Sequence, residues 1–136
     1  DDAKRMAHTH QFIMSILITK LMESGDMKHA KLVADKWQKE LPDYNVPYTE
    51  DALAMAECYY RLKDYGKADD IVTNLLERSA EWLSWYKSLE KHGKPISQFQ
   101  RDSWFRTMQN ALITANNNQR TKLVNKYIKT YEDYIK

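Results

Sequence analysis

A short segment that recurs 38 residues further on constrains this chain more than any other feature of its sequence. Gly25-Asp26-Met27-Lys28-His29-Ala30 aligns with Lys63-Asp64-Tyr65-Gly66-Lys67-Ala68, and the apolar residues on both sides stay in step. Before the turn, Met14, Leu17, Ile18 and Leu21 correspond to Ala52, Met55, Ala56 and Tyr59. After it, Val33, Ala34 and Trp37 correspond to Ile71, Val72 and Leu75. Each set recurs at i, i+3, i+4, i+7, the stripe of a helix that buries one face. The repeated unit is therefore a helical hairpin, and such units bury their apolar edges only by lying side by side.

A weaker third copy places Phe105, Met108 and Leu112 before Asn116-Asn117-Asn118-Gln119-Arg120-Thr121, with Val124 and Ile128 after it. In that register Thr121 stands where the other copies have Ala30 and Ala68. A small side chain there lets two helices cross closely, so Thr121 implies a looser third pair. Pro42 and Pro47 in Leu41–Tyr48 end the first hairpin, because proline cannot continue a helix and drives its predecessor to extended geometry. Thr49, followed by Glu50 and Asp51, suits the start of the next helix. Gly93-Lys94-Pro95 ends a long helix, and Ser97-Gln98-Phe99-Gln100 has capping-box spacing for the one after it. With only 3 Gly and 3 Pro, the chain lacks the punctuation of a many-stranded sheet. The expectation is an all-α single domain over 1–136, a right-handed α-α superhelix of about three hairpins at roughly 5–41, 49–92 and 97–135, with six helices.

Gly or Lys before Asp, an aromatic or Met next, then a small residue opening the second stripe, resembles the tetratricopeptide repeat of about 34 residues. The best copy is Tyr59-Tyr60-Arg61-Leu62-Lys63-Asp64-Tyr65-Gly66-Lys67-Ala68, although Lys63 replaces the usual Gly and the usual Trp of the first helix is absent. A wider likeness rests on Arg5-Met6, the Gly25 turn, Leu41-Pro42-Asp43-Tyr44-Asn45-Val46-Pro47-Tyr48 and Trp85-Tyr86-Lys87-Ser88-Leu89. These look like the C-terminal region of a bacterial family of multi-pass membrane proteins related to protein O-mannosyltransferase-like glycosyltransferases. The resemblance implies a soluble helical-repeat tail, on the extracytoplasmic (periplasmic) side, whose parent holds the catalytic acids in its membrane part. The start at Asp1-Asp2 agrees with an excised piece of a longer protein.

The residue types that carry chemistry do not converge. His8-Thr9-His10 places its histidines on different sides of a helix with no third ligand at helical spacing, so no metal is expected. Cys58 has no histidine near it in sequence and reads as a small buried hydrophobe. Glu50-Asp51 and Asp69-Asp70 are adjacent rather than facing, which suits helix starts and solvated faces. No phosphate-cradling glycine loop or nucleophile elbow occurs. Neither catalysis nor a cofactor is expected of this chain. The aromatic stripe Trp82, Trp85, Tyr86 and Leu89, which has the look of a ligand or carbohydrate platform, is assigned to the core.

Binding is expected instead in the groove formed by the first helix of each pair. Period places Phe12, Ser15, Thr19 and Met22 there from the first pair, Leu53, Glu57, Tyr60 and Arg61 from the second, and Arg106, Asn110 and Ile113 from the third. That mixture of apolar, aromatic and ionic groups suits an extended protein segment, or the parent's own membrane part. Two alternatives remain open. One is a stand-alone tetratricopeptide-type adaptor. The other is a basic nucleic-acid binder, since residues 94–136 carry 8 basic against 3 acidic side chains. Lys122, Lys126 and Lys129 also follow an ordinary solvated helix face, so no nucleic acid is expected.

Overall fold

A computed structural model describes residues 2–135; the terminal positions 1 and 136 of the expected domain lie outside the described residues. Six helices occupy most of that range, with no strand among the described residues: α1 (Asp2–Glu23), α2 (Met27–Glu40), α3 (Ala52–Arg61), α4 (Tyr65–Lys91), α5 (Gln98–Asn117) and α6 (Thr121–Ile135). The chain is thus all-helical, with neighbouring helices packed on one another. It divides into two compact units, the first ending at Ile71 and the second beginning at Val72, inside α4.

In the first unit α1 packs on α2, and α3 packs on both. Ala30 and Ala34 of α2 are fully buried, as is Ala68 at the start of α4. Their methyl side chains permit the close helix approach that the repeat implied. Trp37 is also fully buried and meets Tyr48 edge to face at 6.4 Å between ring centroids. The hydroxyl of Tyr59 ties α3 to α2, donating to Asp35 Oδ1 at 2.7 Å and Gln38 Oε1 at 3.2 Å. On α1 the buried stripe is Gln11, Met14, Ser15, Ile18 and Met22, whereas Leu17 is 46% exposed. The buried face is therefore turned away from the expected Leu17 edge, because α2 and α3 together cover the Ser15–Met22 side.

The Leu41–Tyr48 segment has a structural task. Tyr48 N–H donates to Asp43 Oδ1 at 2.7 Å, and buried Gln11 of α1 donates through Nε2 to the Val46 carbonyl at 3.3 Å. The loop is stapled across the hairpin before α3 begins. Thr49 is not the cap of α3: that helix starts at Ala52 after tight i→i+3 backbone bonds from Ala52, Leu53 and Ala54 to Thr49, Glu50 and Asp51.

Within the second unit, α5 and α6 pack as a hairpin. The later turns of α4 are tied to both. Tyr86 Oη donates to Gln100 Oε1 at 3.0 Å on α5, and Tyr127 Oη of α6 donates to Glu77 Oε1 at 3.3 Å. The start of α5 is capped as the sequence indicated, Gln100 N–H donating to Ser97 Oγ at 3.3 Å.

Four helices end in the same way. Gly25, Lys63, Gly93 and Gln119 all adopt positive φ, at 81°, 62°, 68° and 57°. Each forms the two-bond closing motif: Gly25 N–H donates to Met22 O and Asp26 N–H to Leu21 O, Lys63 to Tyr60 and Asp64 to Tyr59, Gly93 to Glu90 and Lys94 to Leu89, Gln119 to Asn116 and Arg120 to Ala115. These are Schellman turns, which favour glycine because a Cβ in the left-handed region is strained. The third repeat is thereby re-registered. Gln119, not Asn116, is the counterpart of Gly25, and Val124 rather than the exposed Thr121 is the counterpart of Ala30 and Ala68. Lys63→Gly and Gln119→Gly should each raise stability by ~0.5–1 kcal/mol, the relief of left-handed strain exceeding glycine's extra chain entropy. Thermal melts of the two single variants check this, with Gly25→Ala shifting the opposite way.

Candidate functional site

The expected groove positions fall into distinct settings. On α1, Phe12 and Thr19 are exposed, with Thr19 Oγ1 donating to the Ser15 carbonyl at 2.9 Å; Ser15 and Met22 are buried. On α3, Leu53 and Glu57 are half-buried and Arg61 is exposed, Arg61 Nε standing 3.7 Å from Glu57 Oε1. Leu53, Glu57 and Arg61 recur at i, i+4, i+8 and so share one helix face. Tyr60, expected beside them, is 3% exposed, and its hydroxyl donates to Asp69 Oδ1 at 2.7 Å. Its role is to fasten the end of α3 to the start of α4.

In the second unit Arg106 and Ile113 of α5 are exposed and Asn110 is half-buried. With the corrected register, the counterparts of Ser15 and Thr19 are Gln109 and Ile113. Both line an open cleft of about 470 Å³ between α5 and α6, together with Leu112, Asn116, Asn117, Val124, Ile128 and Tyr131. Tyr131 stacks on Phe105 at 5.2 Å and its hydroxyl accepts from Gln109 Nε2 at 3.2 Å. The cleft joins aliphatic walls to a rim of carboxamides. Gln109, Asn116 and Asn117 were not singled out by spacing, because the run Asn116–Asn118 offers three residues that tolerate left-handed geometry and only the last bond pattern shows where the turn falls.

The aromatic stripe of α4 keeps its core assignment at Tyr86 and departs from it at the two indoles. Tyr86 and Leu83 are buried, but Trp82 is 39% and Trp85 51% exposed. Trp82 stacks on Trp104 of α5 with centroids 6.0 Å apart and planes 11° from parallel, and meets Trp85 edge to face at 5.5 Å. Leu83 and Tyr86 take the buried edge of α4, and the indoles of Trp82 and Trp85 form a braced, partly open cluster beside it.

The reactive side chains remain dispersed. Burial pushes the Cys58 thiol up to about 11, opposite to the shift that makes a nucleophile. Desolvation opposes ionisation of Asp35, but hydrogen bonds from Lys31 and Tyr59 outweigh it and hold the carboxyl below its ordinary range. Among the described residues no three His, Cys, Asp or Glu side chains are grouped to hold a metal ion. No described helix is long and apolar enough to cross a membrane.

These features define the class: an all-α protein of packed, turn-matched helices whose exposed faces offer apolar, aromatic and carboxamide groups. Compared with family models, curated proteins and solved structures, the chain matches none.

Proposed function

We propose that the chain is a non-catalytic, tetratricopeptide-like repeat domain, a right-handed stack of about three hairpins, that docks a protein segment along its first-helix faces. The observation that carries this reading is the recurrence of one turn at Gly25, Lys63 and Gln119, with fully buried alanines at matched positions after the first two. Repeats of this sort act through their surfaces, and Leu53, Glu57 and Arg61 present an apolar anchor beside an ion pair on one such face. Phe12, Thr19, Arg106 and Asn110 belong to the equivalent helices.

By resemblance, the domain serves as the soluble, extracytoplasmic tail of a glycosyltransferase-like membrane protein, where it positions the membrane part or recruits a partner. The loop residues that carry this likeness also fasten the first hairpin, so they have a fold role of their own. The parent's reading frame tests the placement, and an absence of hydrophobic spans would remove it.

The docking face is tested by capturing protein from an extract of the source cell on the immobilised domain, beside the variant Leu53→Arg with Arg61→Glu. A partner of the wild type should lose at least ~10-fold in recovery on the variant, in line with the loss of a central interface anchor. Equal recovery, with melting curves unchanged, would overturn the assignment of this face.

A further inference from the structure

In the first unit, the seat formed by α1 and α2 is covered by α3, and Ser15, Ile18, Met22, Ala30, Ala34 and Trp37 are all buried. Alignment of Gly25 with Gln119 maps those six residues onto Gln109, Leu112, Asn116, Val124, Ile128 and Tyr131. All six line the open α5–α6 cleft. Gln109 and Asn116 are exposed, and Val124, Ile128 and Tyr131 only half-buried. The cleft is thus the repeat counterpart of a seat that elsewhere in this chain holds a helix.

The same alignment identifies a matching helix. Leu17 and Leu21 of α1 are the counterparts of Met55 and Tyr59, which α3 buries completely. On α1 they continue a stripe of Met6, His10, Ile13, Leu17 and Leu21, spaced as one helical face. Met6 is 73% exposed, Ile13 55% and Leu17 46%. Apolar side chains are seldom left open in such a row on a lone soluble surface.

We infer that α1 of one molecule seats in the α5–α6 cleft of another, repeating between copies the packing that α3 makes on α1 and α2 within one. The contact is heterologous: helix edge on one side, cleft on the other, so a pair leaves the cleft free on one copy and the edge free on the other. Ile113 at the cleft and Leu17 on the edge, 49% and 46% exposed, lie outside the buried core, so replacing either with glutamate should leave folding intact.

Sedimentation over a range reaching about 1 mM, where weak contacts populate, tests the inference with the whole chain. The wild type should gain mass with concentration. Leu17→Glu and Ile113→Glu should each weaken self-association at least tenfold while melting as the wild type does. An equimolar mixture of the two should form a one-to-one complex, because one variant keeps a sound cleft and the other a sound edge. A wild type that stays monomeric, a single variant that associates undiminished, or a mixture that fails to pair would each overturn it.

Discussion

Truncating Trp37 to alanine should remove ~3–5 kcal/mol of stability, the range for deleting a large aromatic from a core that cannot collapse around the gap. Trp37 is fully buried on α2, and its ring is the surface on which Tyr48 rests. Tyr48 in turn anchors the loop whose Val46 carbonyl accepts from Gln11. The loss should therefore exceed that of removing an isolated aromatic at the surface. A denaturant melt checks it: the midpoint should fall while its slope, set by the area exposed on unfolding, stays the same. A shift below ~1 kcal/mol would mean the first hairpin is not held from this side.

Ala68→Trp should be a damaging enlargement, at ~1–3 kcal/mol or more, since Ala68 has no exposed surface and a larger side chain must push its neighbours aside. The informative contrast is Thr121→Trp. Thr121 is exposed at the first residue of α6, so the same substitution there should stay within ~0.5 kcal/mol. If both substitutions cost alike, the register that pairs Val124 with Ala68 is wrong. Thermal unfolding of the two variants side by side decides between the registers.

Much of the fold was legible from two physical signals. Helical periodicity located all six helices, and glycine or proline placed three of the five breaks between them, at Gly25, at Pro42 with Pro47 and at Gly93 with Pro95, because those residues act through their own backbone geometry and need no neighbours. The third turn was misplaced by three residues for the opposite reason. Its left-handed position is held by Gln119, a residue with no intrinsic preference for it, while the preceding asparagines have one. The α1 face was rotated because α3, distant in sequence, decides which side of α1 is covered. Trp82 and Trp85 were sent inward with Tyr86 because α4 outruns its own hairpin and must bury a face; Tyr86 is buried, but Leu83 rather than either indole shares that edge.

The groove was less legible than the fold. Leu53, Glu57 and Arg61 lie together on one helix face, as period required. Tyr60 does not join them, since its hydroxyl has Asp69 within 2.7 Å and the ring follows it inward. Gln109, Asn116 and Asn117 emerged only once the third turn was located, and with them the cleft they rim.

Cys58 is the chain's one cysteine, and it is fully enclosed. A new sulfhydryl installed on the outside would consequently be the single addressable handle on the molecule. Tyr44, 86% exposed in the loop between α2 and α3, is a natural position for one, and a dye coupled there would report on encounters between molecules without a cysteine-free background having to be engineered first.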